Sequence, residues 1–177
     1  KSVHDFIFSI VHSLQWPWRD RAWAAALFWL PWLVVAWRTL RSNSTPAAGS
    51  TAPDPFAGRF SATLTALGGW VLLQVAATAY ARGAGADYPA SRYMDTLTFG
   101  AAINGLALAW LLTNFAQRRG PQLAFGALGL AWAVTLGLGL RWQLGGTYDI
   151  ELPEAKRYYL QAEANIVNSL PPRGTFE

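Results

Sequence analysis

The stretch "FSATLTALGGWVLLQVAATAY", residues 60–80, is 21 residues long and carries no charged side chain. An α-helix of that length rises about 31 Å, at 1.5 Å per residue, which matches the ~30 Å hydrocarbon core of a bilayer. Arg59 and Arg82 stand just outside it, where arginine side chains can reach the lipid head groups. The stretch therefore predicts a transmembrane helix and indicates a membrane protein.

Three further stretches of this kind lie on either side of it, at about residues 22–37, 96–115 and 123–140. The first is short for a bilayer, but flanking tryptophans and arginines make up the difference. Pro31 lies in its middle and predicts a kink, because proline lacks the N–H that an inner helix position needs. The sequence thus predicts an all-α fold, a polytopic membrane helix bundle with about four transmembrane helices.

Amphipathic segments are predicted at both ends of the chain. Apolar residues recur with helical spacing over residues 3–14, with Ser9 on the polar side. Twelve residues are too few to span a bilayer, so this helix should lie at the interface or pack on other subunits, and Trp16 and Trp18 after it should lie among the head groups. A short surface helix is predicted between Pro153 and the prolines that follow residue 170. The predicted domains are an interfacial helix, a membrane bundle and a polar tail, at residues 1–18, 19–142 and 143–177.

The composition supports a membrane protein and excludes several other classes. Hydrophobic residues make up 53% of the chain and charged residues 14%, against about 25% charged residues in a soluble domain. The net charge is +4, but the basic residues occur in ones and twos between apolar runs, as expected of head-group anchors, so no nucleic acid partner is predicted. Without cysteine and with two histidines, the sequence predicts no metal site and no cofactor.

The residue usage also indicates a source and a location. Twelve of the fourteen basic residues are arginine and alanine is abundant, which is typical of a GC-rich bacterial genome. We therefore expect a multi-pass protein of the bacterial inner membrane. The chain starts at Lys1 without a signal-peptide pattern, so it is expected to be part of a longer protein.

Polar residues gather where the second and third predicted helices are joined, in "ARGAGADYPASRYMD", residues 81–95. In one interpretation Arg92 anchors to head groups, Tyr93 belongs to an aromatic belt and Asp95 caps the third helix. In the other, Arg82 and Arg92 clamp a phosphate, because guanidinium groups bind phosphate oxygens in pairs. A phosphate at this depth of a membrane belongs to a lipid, and Asp95 would then orient Arg92 or act as a base.

The Arg92–Tyr93 pair, at the end of a loop and the start of a membrane helix, resembles a feature of the C-type glycosyltransferase superfamily. Those polytopic enzymes use polyprenyl-phosphate sugars, and the layout of the surrounding "YARGAGADYPASRYMDTLTFGAAINGLALAWLL", residues 80–112, resembles bacterial inner-membrane proteins of that general kind. The resemblance implies that Arg92 and Tyr93 contact a lipid phosphate. In that superfamily the catalytic carboxylates lie in an early extracytoplasmic loop, which has no counterpart here, so the resemblance implies a catalytic base in another part of a longer chain.

Two amides are predicted inside the membrane. Gln74 and Asn104 lie within the second and third spans, where an unpaired amide is costly. Both are therefore expected to face the bundle. They would either form hydrogen bonds between helices or line a substrate groove.

Small residues recur at four-residue spacing in the third and fourth predicted helices, which favours close approach of helix backbones. They are Ala101, Gly105 and Ala109 in one helix, and Ala127, Ala131, Thr135 and Gly139 in the other. Packing within the bundle explains them, and a contact between two copies of the chain is the alternative.

Two functions remain open at this point. The first is part of an enzyme that handles glycans or lipid-linked sugars, with polyprenyl-phosphate and membrane lipids as partners. The second is a non-catalytic accessory subunit of a larger membrane complex, which the amphipathic ends favour. Its partners would be other membrane subunits or the remainder of a longer chain.

Overall fold

A computed structural model describes residues 2–18, 20–43, 55–82, 93–115 and 119–169. Over these residues all regular structure is helical, and the chain forms α1 (Val3–Leu14), α2 (Ala22–Asn43), α3 (Pro55–Arg82), α4 (Met94–Asn114), α5 (Arg119–Gly146) and α6 (Leu152–Ser169). A π-helical turn, Thr147–Glu151, lies between the last two. Four helical segments are long and apolar enough to cross a membrane. The predicted all-α fold of a multi-pass membrane protein is confirmed.

The membrane helices are longer than the predicted spans. α2 continues past Trp37 to Asn43, and α5 begins at Arg119 and ends at Gly146. The predicted spans ended before Arg38 in α2 and before Arg141 in α5, yet arginine has a high helix propensity, so both helices continue past these charges. α3 begins at Pro55, the kind of position where proline is well tolerated because its missing N–H would have no partner inside the helix.

The chain divides into two compact units, Lys1–Leu136 and Gly137–Glu177. In the first unit α2, α3 and α4 pack against one another in all three pairs, and α1 packs against α2 and α3. The core consists of apolar side chains from α2, α3 and α4, among them Phe28, Trp29, Val35, Leu64, Val71, Ile103 and Leu111. The functional geometry described below is built on this three-helix core.

The face of α1 that is buried differs from the face that the sequence predicted to be buried. Ser9 is buried, whereas Val3 is 75% exposed, so the prediction that Ser9 lies on the polar face is wrong. Serine is small enough for close helix contact, and hydroxyls on this edge bond back to the helix, as Ser13 Oγ does to the Ser9 carbonyl. Hydrogen bonds with Ser2 at the start of α1 lower the pKa of the Asp5 carboxyl.

The second unit contains the predicted C-terminal surface helix. α6 runs from Leu152 to Ser169, and the π-helical turn packs against it. Large apolar and aromatic side chains of α6 are exposed in the chain; they include Tyr158, Tyr159 and Ile166. The unit therefore presents an aromatic and aliphatic surface that would suit a membrane surface or a partner.

Candidate functional site

The predicted lipid-phosphate site lies at the connection between α3 and α4. Arg92 and the Arg82 side chain lie outside the described residues. Arg82 is the last residue of α3, and Tyr93 directly precedes α4. Because α3 and α4 pack against each other, these two residues belong to helix ends that flank the same connection.

Tyr93 and Asp95 occupy the start of α4. Tyr93 is the N-cap residue, is half-buried and forms no side-chain capping hydrogen bond. The helix begins at Met94, two residues earlier than predicted, so the prediction that Asp95 caps it is wrong. Asp95 instead lies in the first turn with an exposed side chain, where a carboxylate interacts favourably with the helix dipole.

A polar network crosses the bundle beside Pro31. Asn104 of α4 is 1% exposed, and its Oδ1 accepts a hydrogen bond of 3.2 Å from the backbone N–H of Trp32. Its Nδ2 donates to the Gly100 carbonyl at 2.9 Å. Proline removes one backbone hydrogen bond from α2, and the residue after it is held by an amide from another helix. For Asn104, the predicted inward orientation and interhelical hydrogen bond are confirmed.

Three tryptophan indoles tie separate segments of this unit together. Each donates its N–H to a backbone carbonyl far away in the sequence: Trp32 to Leu64 at 3.0 Å, Trp132 to Phe28 at 3.3 Å, and Trp18 to Thr135 at 3.1 Å. A buried indole N–H needs such an acceptor, and helix carbonyls provide it. Trp18 was predicted among the head groups, and its indole N–H is bonded to α5. The sequence showed many tryptophans but no signal for their acceptors.

Two glycines make room for these tryptophans. A Cβ atom added at Gly68 would collide with the indole of Trp32. A Cβ atom added at Gly100 would lie 3.3 Å from the Trp29 ring and from Val71. Both glycines are buried, so they let the helix backbones and the large rings pack in close contact.

A cavity of about 20 Å³ lies beside this network. It is bounded by aromatic, apolar and polar side chains, including Ser13, Trp16, Trp29, Leu97, Asn104 and Trp132. Within the described part of the chain, the buried Nε1 of Trp16 has no hydrogen-bond partner. The volume suits one water molecule and is far below the several hundred Å³ of a small-molecule pocket. The hydrogen bonds of Asn104 therefore serve helix packing.

Gln74, the second intramembrane amide, lies elsewhere. Its side chain is exposed on the surface of α3, and its amide forms no hydrogen bond with any described residue. The prediction that Gln74 faces the bundle is therefore wrong. The buried side of α3 contains Leu64, Gly68, Val71 and Val75, and Gln74 is rotated about 100° from Val75.

Comparison with known proteins adds no relative. No protein-family model, characterised protein or solved structure matches this chain. In the described ranges, no three histidine or acidic side chains come together as metal ligands would. The resemblance to C-type glycosyltransferases stays a prediction that rests on Arg92 and Tyr93.

Proposed function

We propose that this multi-pass membrane protein holds the phosphate of a lipid at the level of the head groups, as part of an enzyme that handles glycans or lipid-linked sugars. The observation that carries the proposal is the start of α4, where the helix N-terminus lies directly after Tyr93. Helix N-termini attract phosphate, because their first N–H groups lack partners within the helix and the dipole is positive there. Arg92 directly precedes this end in the sequence.

The neighbouring charges fit the same role. Arg82 ends α3, which packs against α4, so two arginines flank the connection. A pair of guanidinium groups can bind a phosphate through several charge-assisted hydrogen bonds. Asp95, exposed in the first turn of α4, would orient Arg92. A catalytic carboxylate would come from another part of a longer chain.

Lipid binding to the protein in nanodiscs tests this proposal. Arg92→Ala should weaken the binding of a polyprenyl phosphate by about tenfold, which corresponds to the loss of one good phosphate contact. Arg119→Ala is the matched control, because Arg119 is an exposed arginine at the start of α5, after the other end of α4. Equal binding by the two variants, measured by native mass spectrometry, would contradict the proposal.

A second candidate is a non-catalytic accessory subunit of a larger membrane complex. It is favoured by the exposed apolar surface of α6, where Tyr158 is 72% and Tyr159 79% exposed. If this candidate is correct, gentle extraction from the native membrane should yield a different polypeptide in fixed stoichiometry. Arg92→Ala would then leave the assembly intact, and truncation before Leu152 would release the partner.

A further inference from the structure

We infer that a second copy of this chain packs against the outer face of α3, with Gln74 at the centre of the contact. The outer face is defined by Thr63, Leu67, Trp70, Gln74 and Ala77. All five side chains are exposed in the chain. The face is separate from the connection between α3 and α4, so the inference is independent of the proposed function.

The spacing along the outer face is that of a helix pair. Its residues follow one another by four, three, four and three positions, which is the alternation of the a and d positions in a parallel coiled coil. Leu67 and Trp70 supply apolar contact surface, and Ala77 is small enough for close backbone approach. A straight stripe of this kind can meet another helix along more than three turns.

Gln74 is the residue of the outer face whose side chain requires a hydrogen-bond partner. It lies within the uncharged span of residues 60–80, and its amide forms no hydrogen bond in the described chain. An amide exposed to hydrocarbon is unfavourable, because neither of its donors nor its carbonyl oxygen can bond to lipid tails. The missing hydrogen bonds must therefore come from outside the described part of the chain.

A second copy of the chain can supply these hydrogen bonds with its own Gln74. Copies inserted in the same orientation are related by a two-fold axis along the membrane normal, so their α3 helices run parallel. In a parallel pair, equivalent a positions lie opposite each other, which places one Gln74 against the other. Each amide contains both donors and an acceptor, so two glutamines satisfy one another. A single polar residue in such a stripe also fixes the register of the pair.

The exposed surface of α5 lacks this property. On α5, Ala127, Leu130 and Val134 are exposed and apolar, and the four-residue stripe predicted there includes Ala127 and Ala131. Lipid tails solvate such a surface as well as another helix would. The symmetric contact is therefore assigned to α3 and not to α5.

Disulfide cross-linking in the native membrane tests the inference, because the chain contains no cysteine. Ala77→Cys places one thiol on the outer face, and mild oxidation should join two chains into a covalent dimer of twice the chain mass. Leu130→Cys is the control, since Leu130 is 68% exposed on α5 and should yield little dimer. Adding Gln74→Leu to the Ala77→Cys chain should reduce the dimer yield about tenfold, because the amide pair is lost.

Three outcomes would overturn the inference. Ala77→Cys could cross-link no better than Leu130→Cys, or the yield could be unchanged by Gln74→Leu. The oxidised product could also have a mass other than twice that of the chain, which would assign the outer face to a different membrane protein. Thermal unfolding of the Gln74→Leu chain, followed by tryptophan fluorescence, separates loss of the dimer from loss of the fold.

Discussion

The two intramembrane amides of this chain have opposite surroundings. Asn104 is 1% exposed and is hydrogen-bonded on both sides of its amide, to the Trp32 N–H and to the Gly100 carbonyl. Gln74 is exposed, and its amide has no hydrogen bond within the described chain. The two residues carry the same functional group, and both lie in helices long and apolar enough to cross a membrane. An amide in a membrane span therefore does not by itself reveal which side of the helix faces the bundle.

The difference lies in the neighbouring backbone. Asn104 lies next to Pro31, where α2 has lost one hydrogen bond, so the amide stabilises an irregular point of the helix. Gln74 lies on α3, which continues without proline beyond its first residue. An amide within the bundle of this protein supports a backbone irregularity, whereas one on its surface indicates a contact with another chain.

The largest effect on the free energy of unfolding is expected at Gly68, which packs against the indole of Trp32 near the buried amide. In Gly68→Ala the new Cβ must displace the Trp32 indole, and the hydrogen bond to the Leu64 carbonyl is lost with it. We expect the free energy of unfolding to fall by about 3 kcal/mol, from overpacking and an unpaired indole. Unfolding by SDS in mixed micelles, followed by tryptophan fluorescence, measures it.

Gly69→Ala is the control for this substitution. A Cβ at Gly69 meets no atom within 4 Å, and alanine has the higher helix propensity, so the change should be neutral or stabilising. If Gly68→Ala were equally harmless, the contact between the Trp32 indole and α3 would not be as close as the structure describes it.

The second largest effect on the free energy of unfolding is expected from replacing the buried amide of Asn104. Asn104→Leu removes the hydrogen bond between the Trp32 N–H and the Asn104 side chain in a buried site. The loss of a buried hydrogen bond costs about 1 kcal/mol, and the same SDS titration should show this loss.

The Pro31→Ala substitution tests whether Asn104 compensates for the hydrogen bond that the proline removes from α2. Alanine restores an N–H within α2, so the helix should depend less on Asn104. In a double-mutant cycle, Asn104→Leu should therefore cost less in the Pro31→Ala chain than in the original one, by up to about 1 kcal/mol. Strict additivity would mean that Asn104 does not compensate for the proline.

An effect no larger than this is expected at Trp132, the link between α5 and α2. Trp132→Phe keeps an aromatic ring against Phe28 but removes the N–H that bonds to the Phe28 carbonyl. Hydrogen bonds between membrane helices contribute about 1 kcal/mol, so the loss should be of that size. Trp23→Phe is the control, because Trp23 is exposed and should respond weakly. Equal losses in the two variants would show that ring size, and not the hydrogen bond, controls the contact.

The sequence predicted the helices well and their inward faces poorly. α1 has its predicted bounds, and all four membrane helices were found, because length and the absence of charge suffice for that. The inward side of α3 was missed, since a helix that is apolar on all sides shows no periodicity. Pro31 and Asn104 were both noticed, yet their association joins residues more than 70 positions apart, and no local pattern encodes that.

The candidate site lies at the end of a helix, so its position could be predicted only as accurately as a helix end can be. The sequence placed Tyr93 and Asp95 at the start of α4 but misassigned the cap by two residues, because helix ends depend on backbone geometry that residue type constrains weakly. The roles of Trp18 and Trp32 were not predictable either. An indole prefers head groups on average, but a carbonyl acceptor on a packed helix decides the individual case.

The smallest effect on unfolding is expected at the exposed amide, and it tests the comparison directly. Gln74→Leu removes a group that forms no hydrogen bond within the described chain, so at high dilution in detergent the free energy of unfolding should change by less than about 0.5 kcal/mol. At high protein-to-lipid ratio the same substitution should matter more, because there it removes the contact between two copies. If Gln74→Leu instead cost as much as Asn104→Leu at high dilution, the glutamine would have a partner within its own chain. Both amides would then stabilise the fold of their own chain, and the proposed difference between the buried Asn104 and the exposed Gln74 would be wrong.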